Sequence, residues 1–160
     1  MTLLDIEKAL VAAVKEELPG YEVRSYPEKP AEYVLTHPKG AILIRFSGSK
    51  YEPTQDIGAM VQARRTDWEI TVVARHLTDH GGLYAILEVI RICLTGYRVP
   101  GCRKAYLLTD GFVGEVNGIW QYALLLAVPT VAVERAEDEY LPVLKRLTLT
   151  DNLGGTEEIE

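Results

Sequence analysis

The densest run of reactive side chains in this chain is His76-Leu77-Thr78-Asp79-His80-Gly81-Gly82. Two imidazoles and a carboxylate within five residues are the right donor types for a divalent transition metal. However, the donors fall at the end of a strand pattern and in a turn, and no other His/Cys cluster completes the set. The plainer reading assigns Asp79 to capping the next helix and Gly81-Gly82 to a tight turn. The glycine pair is not a phosphate cradle either, because no glycine pattern follows a strand and opens a helix with a lysine. Ser47 and Ser49 have no evident His/Asp partner, and the carboxylates are scattered singly. The pattern therefore points away from an enzyme and implies neither cofactor nor metal. A small metal-dependent enzyme using His76, Asp79 and His80 stands as the chemical alternative.

Bulk properties narrow the class. With 160 residues the chain can bury one substantial core, roughly 70% of its unfolded surface. Apolar residues make up 48% and charged ones 25%, as in ordinary globular proteins. The longest apolar run, Tyr122 to Val128, is too short to span a bilayer, and no basic-then-apolar leader is expected. Cys93 and Cys102 make no disulfide framework and read as free thiols. A net charge of −6 disfavours binding nucleic acid through a basic surface.

The elements organise around residues 103–135. Asn117-Gly118 is the signature of a two-residue hairpin turn. Beyond it Trp120, Tyr122, Leu124, Leu126 and Val128 alternate onto one face, with Gln121, Ala123 and Ala127 on the other. Leu125 interrupts the second face, which predicts a strand covered on both sides at the centre of a sheet. Pro129 cannot donate to a ladder and predicts a bulge or a change of partner. At the start, Leu3, Ile6, Leu10, Ala13, Val14 and Leu18 form a helical stripe that Thr2 can cap and Pro19-Gly20 ends. Leu83, Ile86, Leu87, Ile90 and Leu94 predict a second amphipathic helix, stopped by Gly96 and Pro100.

Between the helices, residues 21–27 read as a short strand and 27–38 as a proline-rich connection with a helical turn. Residues 41–46 and 68–77 read as two strands of a long-looped antiparallel hairpin. Residues 47–65 carry Gly48, Pro53 and Gly58 without a sustained period and read as a loop projecting as an arm. The sum is an α+β fold: a mainly antiparallel sheet of about five strands with two amphipathic helices packed on one face. Two helices cover only one face, so the other is expected to close against a neighbouring subunit. Residues 1–135 form the domain. Residues 136–160 turn acidic and read as an arm or tail, in which Tyr140-Leu141-Pro142-Val143-Leu144 is apolar enough to dock.

Three stretches carry a family likeness: residues 36–45, Thr-His-Pro-Lys-Gly-Ala-Ile-Leu-Ile-Arg; residues 94–102, Leu-Thr-Gly-Tyr-Arg-Val-Pro-Gly-Cys; and residues 110–122, Asp-Gly-Phe-Val-Gly-Glu-Val-Asn-Gly-Ile-Trp-Gln-Tyr. Jointly and in this order they resemble the tail terminator, or tail-completion, proteins of Mu-like contractile-tailed bacteriophages. The resemblance covers residues 1–135. It implies a structural virion protein, found in phages, prophages and phage-derived particles. Such a subunit assembles in the bacterial cytoplasm as a homohexameric ring, caps the tail tube and sheath, and offers a docking surface to the head–tail connector. DNA would pass through the ring without specific binding, which an acidic balance suits. No membrane contact is implied. Expected interface residues are Ser49, Lys50, Tyr51, Arg64 and Arg65 in the 47–66 stretch, and Tyr140, Leu141 and Leu144 in the tail. A monomeric adaptor binding a peptide at an open sheet edge is the other alternative.

Overall fold

The computed structural model describes residues 1–135. Helix α1 spans Leu3–Glu17. Thr2 Oγ1 accepts the Asp5 N–H, and the Asp5 carboxylate accepts the Thr2 N–H, so a capping box satisfies amides that the first turn would leave orphaned. The strands are β1 (Glu22–Ser25), β2 (Gly40–Tyr51), β3 (Gln55–Ile57), β4 (Ala59–Ala74), β5 (Tyr106–Val116) and β6 (Ile119–Val133). Helix α2, Leu83–Leu94, lies between β4 and β5. The helical turn expected over residues 31–36 is a shorter 3-10 turn at Pro30–Glu32.

Strand order is β1-β2-β4-β6-β5, with the short β3 paired to β4. The expected α+β class and the antiparallel hairpins are present, but the centre of the order is β4: β6 is an interior strand one place in from the β5 edge. One pairing departs from the antiparallel rule: β1 runs parallel to β2, with Val23 opposite Ile42. Asn117 and Gly118 take φ values of 53° and 80°, the left-handed pair of the hairpin turn. Pro129 lies inside β6, two residues past the last ladder pair with β5, Tyr106↔Ala127, and its carbonyl accepts the Arg103 N–H.

The main core lies under the helices. Ile6, Leu10, Val14 and Leu18 from α1 and Leu83, Ile86, Ile90 and Leu94 from α2 pack on one sheet face. That face is built of Ile42, Ile44, Trp68, Ile70, Val72, Leu124, Leu126 and Val128. Each fully buried aliphatic side chain contributes on the order of 1.5–3 kcal/mol. Trp68 is buried with its indole N–H donated to Thr66 Oγ1, and that hydroxyl donates to the Val128 carbonyl. The polar atoms at the centre of the core are thereby paired.

The opposite face corrects one expectation. The chain covers part of it itself: Leu35, Ala41, Leu43 and Val73 form a second small cluster beneath Tyr26, Tyr33 and Ile119. The 27–38 connection folds back because its prolines and Tyr33 give an apolar lid, and the Tyr33 hydroxyl ties to the Glu22 carboxylate at 3.0 Å. Farther along, the face turns polar, with the Arg45–Glu69 pair at 2.8 Å. A neighbour is therefore not required to bury this surface.

Residues 47–65 are not the expected loop. β2 and β4 stay paired out to Tyr51 and Arg64, past a bulge between Phe46 and Gly48. The ladder hydrogen bonds hold the strands where side-chain periodicity gives no signal. The chain divides into two compact units, Met1–Thr54 with Gln62–Ala132, and Gln55–Val61 with Val133–Glu160. Within the second, β3 pairs with residues 59–61, and Met60 and Glu134 exchange hydrogen bonds.

Candidate functional site

The histidine turn is a structural corner. The carbonyls of His76 and Leu77 accept the Leu83 and Tyr84 N–H groups, so backbone satisfies the first turn of α2. The N-cap is Gly82 with no side-chain cap, which removes the capping role expected of Asp79. His80 takes a positive φ of 57°, and its ring meets that of His76 edge-on at 4.9 Å. The Tyr21 hydroxyl donates to the Gly81 carbonyl at 2.7 Å. Among the described residues no group of three or more His, Cys, Asp or Glu side chains is placed to hold a metal. Both cysteines are free thiols, and burial pushes each thiol pKa up, away from the reactive thiolate.

Two surfaces of the first unit stand out instead. One lies where β2 and β4 reach their far ends. The Arg64 guanidinium donates to Ser49 Oγ at 3.0 Å and stacks over the Tyr51 ring at 5.6 Å. Lys50 faces Arg65 across the ladder, and Arg65 holds Asp67 through two hydrogen bonds of 2.9 and 3.0 Å. That carboxylate raises the Arg65 pKa above its usual value. A cleft of about 210 Å³ opens here, lined by Glu52, Arg64, Arg65, Arg103, Tyr106 and Thr130 among others. Five predicted interface residues, Ser49, Lys50, Tyr51, Arg64 and Arg65, thus lie together on paired strands. Arg103 and Tyr106 join them through the fold and were not among the expected residues. Tyr140, Leu141 and Leu144 fall outside the described residues.

The second surface is the β5–β6 hairpin. Among the described residues β5 is an edge strand of eleven residues with one ladder partner. Phe112, Val113 and Val116 on it are 58%, 55% and 69% exposed. Phe112 contacts Tyr122 edge-on at 5.5 Å and Trp120 at 6.3 Å, and Tyr122 meets Tyr84 of α2 at 6.4 Å. From Ala105 to Val133 there is no Lys or Arg, and the charged residues are Asp110 and Glu115. That run without cations, interspersed with Gly111 and Gly114, was the available sequence signal for this patch.

Fold and surfaces together describe an α+β protein whose β5 edge is apolar and, among the described residues, unpaired on its outer side. Residues 10–151 match the model of the Gp37 protein family, so the chain belongs to that family. No curated protein matches. Among solved structures, a chain from the virion of native gene transfer agent (GTA) particle is 14% identical. The match covers 77% of this chain and 95% of that one at a TM-score of 0.46, a likeness too loose to fix a shared architecture.

Proposed function

We propose that this protein is a non-catalytic structural subunit of a phage or phage-derived particle, acting as its tail terminator. In this reading copies associate into a ring of six at the end of the tail tube and sheath. The ring stops their growth and presents a surface to the head–tail connector, while DNA passes through unbound. The observation that carries self-assembly is the exposed β5 edge, a long row of backbone groups unpaired among the described residues and bearing Phe112, Val113 and Val116. Membership of the Gp37 family and the resemblance of residues 1–135 to tail terminators supply the particle context.

The test is mass by light scattering over a wide range of protein concentration and salt, followed by negative-stain imaging with tail tubes added. Six-fold rings, or caps at tube ends, are the expected result. A strict monomer that ignores tube ends would overturn the reading.

A further inference from the structure

The two surfaces of the first unit differ in chemistry and lie toward opposite ends of the sheet. β2 and β4 pair from Gly40↔Ala74 at one end to Tyr51↔Arg64 at the other. The arginine cleft sits at the Tyr51–Arg64 end, with Tyr106 at the start of β5. Phe112 lies six residues farther along that strand, about 20 Å away. Trp120 and the Asn117-Gly118 turn follow at the hairpin tip.

We propose that these surfaces are the two halves of one heterologous contact: the hairpin tip of one copy seats in the arginine cleft of a second copy. The proposal rests on the self-assembling reading above and names the interface that reading requires.

Three observations select a second copy as the occupant. The first is charge. The tip offers Asp110 and Glu115 with no cation between residues 105 and 133. The cleft gathers Arg64, Arg65 and Arg103 against one carboxylate in its lining, Glu52. Arg64 and Arg65 are engaged by Ser49, Tyr51 and Asp67, but Arg103 has no carboxylate partner within ion-pair distance among the described residues. The second is side-chain type. Exposed aromatic faces on one side and guanidinium groups on the other form cation–π contacts, and Trp, Tyr and Arg are the residues that dominate interface energies. The third is symmetry. An aromatic, acidic patch does not complement itself, and neither does a cleft of arginines. Because the two patches lie about 20 Å apart along the sheet, a single tip-to-cleft contact leaves a free tip and a free cleft and can repeat around a closed ring, whereas a two-fold dimer would have to form both contacts reciprocally at once.

The test uses two single variants of the full chain, Phe112→Ala for the tip, which removes the aromatic ring without adding charge, and Arg103→Glu for the cleft. Both residues are exposed, and circular dichroism checks that each variant keeps the fold. Light scattering and sedimentation follow wild type, each variant and their equimolar mixture. Wild type is expected to associate, and each variant alone to need at least about thirtyfold more protein for the same extent, the scale of a hot-spot loss. The mixture is expected to stop at a one-to-one pair, because the intact tip of Arg103→Glu fits the intact cleft of Phe112→Ala and leaves two spoiled ends. If wild type forms rings and both variants do so equally well, the interface lies elsewhere and only the present proposal falls. Rings of wild type with no pairing in the mixture would also overturn it. Wild type that stays monomeric at every concentration and at tube ends would remove both this proposal and the ring.

Discussion

At the scale of single residues, the most perturbed group is the Tyr33 phenol. Burial over the second sheet face, then the hydrogen bond to Glu22, pushes its pKa up to about 12 from an ordinary value near 10. The folded state holds the neutral phenol more tightly than the unfolded chain does. Its contribution is therefore complete below about pH 10 and is lost as the pH climbs through 12. Wild type and Tyr33→Phe should differ most in urea midpoint at pH 8, with wild type ahead, and the gap should narrow or reverse at pH 11. A gap that stays constant across that range would mean that Tyr33 ionises alike in both states. The sequence did not mark Tyr33, because it sits in a stretch without periodicity whose partners, Glu22 and the second cluster, are defined only by the folded connection.

At the scale of elements, legibility followed side-chain periodicity. Both helices, the hairpin turn and the inward face of β6 were readable because apolar residues repeat at 3.6 or 2 wherever an element lies on the core. Periodicity ran out where β2 and β4 leave the core. From Gly48 to Arg65 the apolar alternation is lost, and backbone pairing maintains the strands together with polar side-chain contacts such as those of Arg64 with Ser49 and Tyr51. The same limit applies to the parallel β1–β2 pair and to the corner before α2, where main-chain carbonyls replaced the expected Asp79 cap.

That corner makes a sharp prediction. A Cβ on Gly82 would fall 2.6 Å from the His76 carbonyl oxygen and 2.9 Å from that of Asp79. Gly82→Ala must spread the turn and shift the start of α2, where Leu83 is fully buried. The expected cost is about 1–3 kcal/mol, seen as a lower urea midpoint with an unchanged slope. Gly111→Ala on the exposed edge meets nothing within 4 Å and should stay within about 0.5 kcal/mol of wild type. Equal stability of the two variants would show that the corner yields more easily than its close contacts suggest.

At the scale of the whole molecule, the question is how much of the chain the fold needs. The buried apolar residues among those described run from Ile6 to Val128, and many are 0–2% exposed. A core so closed should hold without the acidic C-terminal residues, although they share a compact unit with residues 55–61. A chain ending at Arg135 is therefore expected to unfold cooperatively within a few degrees of the full-length midpoint. Any change should concentrate in the exchange protection of amides in residues 55–61 rather than in α1, α2 or β6. Calorimetry with hydrogen exchange separates the outcomes. A collapse of protection across the main core would mean that residues 136–160 help to hold the sheet and that the division at 135 is wrong. Unchanged core protection, combined with association that still depends on Phe112 and Arg103, would place both folding and assembly within the first 135 residues. The acidic segment would then be left free for contacts made only on the particle.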